Sequence, residues 1–176
     1  YRVDLAFYSY QEDIKHEWIP LKKDPMIAVL PLNHPLANAS SYPLKECEKE
    51  DFIMTAMGND YDVVKLMERE NLSPKIKFST LENYSALSMI ECGLGMSIMN
   101  ELVTKGRQNR VAMMPLDPPH YITLGIAVPS RESVSPAAKK FISYAVKMLR
   151  EKMCPEPIPS PNNIEVSSPA EQDVDY

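Results

Sequence analysis

The sequence predicts an α/β fold, and three observations predict it. First, short apolar runs alternate with helix-patterned stretches from Val3 to Leu149, the order expected where helices cover a mainly parallel sheet. Second, Ser79 to Asn100, STLENYSALSMIECGLGMSIMN, reads as a strand end, a helix, a glycine turn and another strand. Such a βαβ unit should be a right-handed crossover. Third, 176 residues with 44% hydrophobic content suffice for one domain or two small lobes.

The elements follow in order. Val3 to Tyr8 is almost continuously apolar, as expected of a buried parallel strand. Tyr8 to Asp13 is a polar loop. Glu17–Leu21 and Met26–Leu30 are strands, interrupted by Lys22-Lys23-Asp24-Pro25. Prolines bracket Pro31 to Leu36 and make it a turn. A short helix near Pro43 carries Leu44 and Cys47 inward, and Asp51–Thr55 is a strand. Gly58-Asn59-Asp60 precedes a helix over Tyr61–Asn71, with Asn59 or Asp60 as its N-cap. In that helix Val63, Val64, Met67 and Glu70 share adjoining rows, and Lys65, Glu68 and Arg69 face water.

Ile76–Ser79 is the strand leading into the central unit. There Ser79-Thr80-Leu81-Glu82 matches an S-x-x-E capping box, Ala86, Met89, Ile90 and Gly93 form one small apolar face, and Gly93 ends the helix. Gly95 is a second joint before Met96–Met99. Glu101–Lys105 is one helical turn, and Val111–Leu116 and Tyr121–Pro129 are strands. Ser135-Pro136 opens a final helix carrying Phe141, Ile142, Ala145, Met148 and Leu149. Cys154–Tyr176, rich in Pro, Ser and acidic residues, is expected to be disordered. Because strands flank the central unit on both sides, the chain reads as two lobes. Residues 1–20 and 117–153 belong to the first, 21–116 form the second, and crossings lie near Ile19–Met26 and Met113–Tyr121.

A net charge of −5 argues against nucleic-acid binding by this surface. No apolar run approaches the roughly 18 residues of a membrane span. Cys47, Cys92 and Cys154 are few and far apart, which suits reduced cytosolic thiols, and Cys47 and Cys92 read as inert core thiols. His16, His34 and His120 are isolated, so neither metal nor cofactor is expected. No G-x-S-x-G elbow or other nucleophile constellation is present, which argues against an enzyme. The chain opens on strand-like residues without an initiator Met, and reads as a fragment.

Val3-Asp4-Leu5-Ala6, Asn33-His34-Pro35-Leu36-Ala37 and Gly93-Leu94-Gly95-Met96-Ser97-Ile98 stand in the order found in LysR-type transcriptional regulators. Over Val3–Leu149 the chain resembles their effector-binding domain. The resemblance implies a type 2 periplasmic-binding-protein-like fold: two Rossmann-like lobes, two crossing strands and a small effector in the cleft, with the first lobe incomplete here. It also implies DNA reading by a winged helix-turn-helix outside these residues, and a homodimer or tetramer in the cytoplasm. The interface on the second-lobe helix would use Val64, Met67 and Glu68. Where one branch of the family carries a carboxylate-pairing Arg, this chain has Ser9. Where a peroxide-sensing branch carries Cys, it reads Met57 to Tyr61.

Ligands of open α/β sheets sit beyond strand carboxyl ends at helix N-termini, where exposed N–H groups favour acceptors. That rule selects Tyr8 and Ser9, then Gly58, Asn59, Asp60 and Tyr61, then Thr80 with Asn100. Tyr8, Tyr10 and Tyr61 offer aromatic surface with hydroxyls, while Ser9 and Asp60 disfavour a dianionic effector. The leading function is therefore an effector-sensing regulatory domain. A transport-type solute-binding protein of the same fold is the alternative.

Overall fold

The computed structural model describes residues 3–11, 16–55, 62–107, 109–130 and 134–153. The elements are β1 (Ala6–Ser9), β2 (Glu17–Leu30), β3 (Tyr42–Pro43), β4 (Asp51–Met54), α1 (Asp62–Arg69), β5 (Lys75–Ser79), α2 (Asn83–Glu91), β6 (Ser97–Asn100), β7 (Ala112–Val128) and α3 (Pro136–Met153). Short 3₁₀ turns occupy Leu44–Lys49 and Glu101–Thr104. The Cys154–Tyr176 tail lies outside the described residues.

β2 and β7 pair antiparallel from Glu17↔Val128 to Leu30↔Ala112. The two strands expected on either side of Lys22–Pro25 are thus one, as are the two expected within 111–129. Asp24 explains why the polar interruption does not break β2. Its carboxylate is fully buried, yet it accepts from Lys22 Nζ at 2.7 Å, Asn100 Nδ2 at 2.9 Å and the Leu102 N–H at 3.0 Å. Pro25 sits beside an irregularity where the partner jumps from His120 (of Met26) to Pro115 (of Ile27), the setting in which sheets tolerate proline. Residues 116–119 leave the β2 ladder there, and Leu116 and Asp117 pair with β3 in parallel.

β1 pairs antiparallel with β7, not parallel, and β6 pairs antiparallel with β2. β1 is also an edge strand with Phe7 half exposed, so its continuous apolarity does not report two-sided burial. The parallel part of the sheet is β4 against β5, and β4 is joined to Met96, the residue before β6, by Ile53 N–H to Met96 O (2.8 Å) and Met96 N–H to Asp51 O (2.9 Å). Gly95 permits that approach. A Cβ there would stand 2.3 Å from the Asp51 carbonyl oxygen.

Strand alternation then builds two faces. Met26, Ala28, Leu30, Phe52, Met54 and Ile98 pack with Val63, Leu66 and Met67 of α1. Ile27, Val29, Ile53 and Met99 pack with Ala86, Leu87 and Ile90 of α2. Helices on both sides thus bury β2, β4 and β6, as a doubly wound layout requires, while β5 at the edge stays largely exposed. Around the far halves of β2 and β7, Leu21, Ile126 and Val128 pack with Val134 and with Ala138 and Ala145 of α3. Phe141 and Met148 of α3 point outward, contrary to the expected face.

The capping box does not form. Ser79 stays in β5, the α2 N-cap is Glu82 without a side-chain cap bond, and Thr80 Oγ1 accepts the Glu82 N–H at 3.1 Å. Parallel pairing with β4 holds Ser79 extended and delays the helix. The α2 end matches expectation: Gly93 N–H to Ile90 O and Leu94 N–H to Met89 O make a Schellman closure. α3 is capped by Ser135 Oγ, which accepts the Ala138 N–H at 3.2 Å. Cys47 is buried, and burial pushes its thiol up to about 11. Cys92 is exposed, so it is not the core thiol expected.

Burial pushes the Asp24 carboxyl upward, but its bonds from Lys22, Asn100 and Leu102 outweigh that and hold it below the usual range. A depressed folded-state value means stability present above the unfolded value and lost as pH falls through the folded one. Asp24→Asn should therefore cost about 3 kcal/mol at neutral pH. It should also flatten the loss of stability below about pH 4. Urea melts of both proteins at pH 7 and in the acid range check both effects.

Candidate functional site

A helix shows one face to a neighbour through residues spaced i, i+3, i+4, i+7. On α1 one such row is Asp62, Lys65, Leu66 and Arg69, and all of it lines a cavity of about 140 Å³. The facing wall comes from the strands: Tyr10 beyond β1, Met26 of β2, and His120, Tyr121, Ile122 and Thr123 of β7. The cavity thus lies between α1, which belongs to one core, and the strand pair that runs on into the other. Lys65 is half-buried at the cavity instead of facing water as expected, whereas Arg69, though it lines the cavity, stays exposed as expected, like Glu68.

A polar cluster joins these walls. Gln11 donates through Nε2 to Ser9 Oγ (3.2 Å) and to Asp62 Oδ1 (3.4 Å), and accepts through Oε1 from Lys65 Nζ. Burial raises the Asp62 carboxyl above its usual range, and the bonds from Ser9 and Gln11 and the Lys65 charge offset this only in part. Lys23 Nζ lies 4.1 Å from the centre of the Tyr121 ring, within cation–π range. His120 Nε2 is buried without a hydrogen-bond partner, with Glu70 Oε1 at 3.6 Å, too far for one.

Aromatic packing holds the β1 end. Trp18 contacts Tyr8 and Tyr10 at ring-centre distances of 5.3 and 5.7 Å. Gly125 makes room for it, since a Cβ there would lie 2.5 Å from the indole. The Tyr10 N–H donates to Thr123 O at 2.7 Å, which ties this loop to β7.

Of the residues selected from the sequence, Ser9 does not line the cavity but accepts from Gln11, which bonds the lining residues Asp62 and Lys65, and Tyr8 packs on Trp18. Thr80 does not line the cavity, and its hydroxyl takes the Glu82 N–H. Asn100 is engaged with Asp24. Gly58, Asn59, Asp60 and Tyr61 lie outside the described residues. Of the interface residues, Met67 is buried in the α1 core, Val64 is half-buried and Glu68 is exposed. Sequence reading missed Gln11, Asp62, Lys65, Arg69 and His120 as a group. The i, i+3, i+4, i+7 row on α1 was the available signal. Among the described residues, no three His, Cys, Asp or Glu side chains converge to hold a metal, and no helix is long and apolar enough to cross a membrane.

A sheet covered by helices on both faces, tied by two long strands to a further core and leaving a polar cavity beside them, defines a two-lobed ligand-binding class. A family model described as the LysR substrate binding domain matches residues 1–150, and the chain belongs to that family. It is 32% identical over 148 residues to the uncharacterized HTH-type transcriptional regulator YvbU of Bacillus subtilis (strain 168), covering 83% of this chain and 50% of that protein. It is 31% identical over 139 residues to YybE of the same organism, also an uncharacterized HTH-type transcriptional regulator, covering 77% of this chain and 47% of that one. The chain thus spans about half the length of these curated relatives.

Two solved structures are similar in fold. The effector binding domain of QuiR in complex with shikimate matches with a TM-score of 0.74 and 26% identity, covering 86% of this chain and 74% of that one. The Synechocystis PCC6803 CcmR regulatory domain in complex with 2-PG matches with a TM-score of 0.73 and 22% identity, covering 85% and 74%. The fold is the type 2 periplasmic-binding-protein-like one.

Because the folded-state value of Asp62 is raised, its contribution to stability is present at low pH and lost as pH rises through that value. Asp62→Asn should therefore raise the melting temperature at pH 7, and the gain should vanish below about pH 4, where the unfolded carboxyl is also protonated. Melting curves of both proteins across that range check it.

Proposed function

We propose that this chain is the effector-sensing regulatory domain of a LysR-type transcriptional regulator, and that it binds a small polar molecule in the cavity between α1 and the β2–β7 strand pair. The observation that carries the proposal is the row Asp62, Lys65, Leu66 and Arg69 facing Tyr10, His120 and Thr123 across that cavity. Cations, an acceptor, hydroxyls and apolar side chains together suit a small hydroxylated or aromatic molecule. Two similar domains are described in complex with shikimate and with 2-PG, which supports a small-molecule effector here.

Residues 1–20 and 117–153 serve as part of one lobe and 21–116 as the other, so a ligand in the cavity touches both. The domain senses and does not catalyse. DNA is read by a winged helix-turn-helix elsewhere in the protein, consistent with the HTH-type relatives. The regulator works in the cytoplasm as a homodimer or tetramer, with Val64 and Glu68 on the contact surface. The same relatives favour regulation over transport.

A thermal-shift screen of small hydroxylated and aromatic compounds, acids such as shikimate and neutral amides alike, tests the site. A true effector at a hundredfold excess over Kd should raise Tm by about 5–10 °C. Lys65→Ala, Arg69→Ala and Ser9→Ala should each weaken it, Lys65→Ala by about tenfold or more. An effector that bound all three variants with unchanged affinity would place the site elsewhere.

A further inference from the structure

The Gln11 side chain is a primary carboxamide, and the structure shows what binds it. Its oxygen takes the Lys65 ammonium, and its nitrogen donates to the Asp62 carboxylate and the Ser9 hydroxyl. Lys65 and Asp62 stand one helical turn apart on the cavity face of α1, so they form a fixed donor–acceptor pair. A ligand carboxylate in the place of Gln11 would satisfy Lys65 but set its second oxygen against Asp62. A ligand ammonium would satisfy Asp62 and oppose Lys65. A neutral carboxamide satisfies both, as Gln11 does.

We propose that the effector of this domain carries a primary carboxamide, which displaces the Gln11 side chain from Asp62 and Lys65. Gln11 follows Tyr10 of the cavity wall beyond β1, and Asp62 and Lys65 are on α1, so the exchange replaces bonds internal to the chain with bonds through the ligand. The rest of the ligand meets Leu66, Ile122 and the Tyr10 ring, with the partnerless Nε2 of His120 beside them. This inference rests on the cavity being the effector site, as proposed above.

The test uses benzamide, benzoate and benzylamine, which share a shape and differ in the group that meets α1. Binding to the 176-residue chain is followed by ¹⁵N NMR, with Leu66 and Thr123 amide shifts reporting occupancy and the Gln11 side-chain NH₂ signals reporting displacement. Benzamide should bind about tenfold more tightly than benzoate or benzylamine, because each of these leaves one like charge opposed. It should shift the Gln11 NH₂ signals toward their solvent-exposed values. Removing the internal competitor by Gln11→Ala, or by the similarly shaped Gln11→Met, should tighten benzamide about five- to tenfold. Asp62→Asn, which can donate to a carboxylate, should erase the preference over benzoate. Trp18 fluorescence verifies that each variant is folded.

If benzoate occupied the cavity as tightly as benzamide in the chain with Asp62 intact, the inference would fall while the cavity kept its role. Unchanged benzamide affinity in folded Gln11→Ala and Gln11→Met would also overturn it, as would no binding of any probe to those two variants.

Discussion

The antiparallel ladder between β2 and β7 is the constraint on which the rest of the structure depends. It runs from Glu17↔Val128 to Leu30↔Ala112, and β1, β3 and β6 all hang on its edges. One half of it contributes Met26–Leu30 to the cores under α1 and α2. The other half contributes Leu21, Ile126 and Val128 to the core under α3. Midway sits Asp24, a carboxylate removed from water and kept charged by Lys22, Asn100 and the Leu102 N–H. A buried charge is tolerated only when its partners are in place. Asp24 therefore couples the strand crossing to the turn after β6, and fixes where the second core begins relative to the first.

The cavity follows from that geometry. β4 delivers the chain toward α1, and α1 buries Val63, Leu66 and Met67 in the core. Burying that stripe turns the adjoining row of Asp62, Lys65 and Arg69 toward His120–Thr123. On the other side, Trp18 seated over Gly125 holds Tyr8 and Tyr10, which brings Gln11 within reach of α1. The burial that perturbs Asp62 thus comes from the arrangement that brings the walls together. Groups carrying such a cost cluster where function selects for them.

Much of the fold is legible in the residues because local rules and tertiary demands agree there. The apolar run Met26–Leu30, the glycine closure after α2 and the helix start at Ser135-Pro136 are all local signals, and all appear in the structure. Lys22–Pro25 misleads because a polar run normally marks a turn, and only the tertiary partners of Asp24 make it strand. The capping box fails for a similar reason: pairing of β5 with β4 outweighs a local cap. Strand direction is not written in β1, since an apolar run reads alike in parallel and antiparallel sheets. The rule that ligands sit at strand ends and helix starts selects Ser9 and the stretch just before α1. Gln11 and His120 lay beyond that rule, because each is an ordinary polar residue until the fold brings α1 against it.

The account's central claim is that one cavity, walled by α1 on one side and by β1 and β7 on the other, receives the effector and is bridged by it. Hydrogen exchange with and without the compound that raises Tm most tests this directly. The account predicts joint protection of the amides at Tyr10–Gln11, Leu66–Arg69 and Tyr121–Thr123, with the exposed groove by Leu32 and Arg110 unchanged. Protection confined to that groove, or to α1 without the strands, would contradict it.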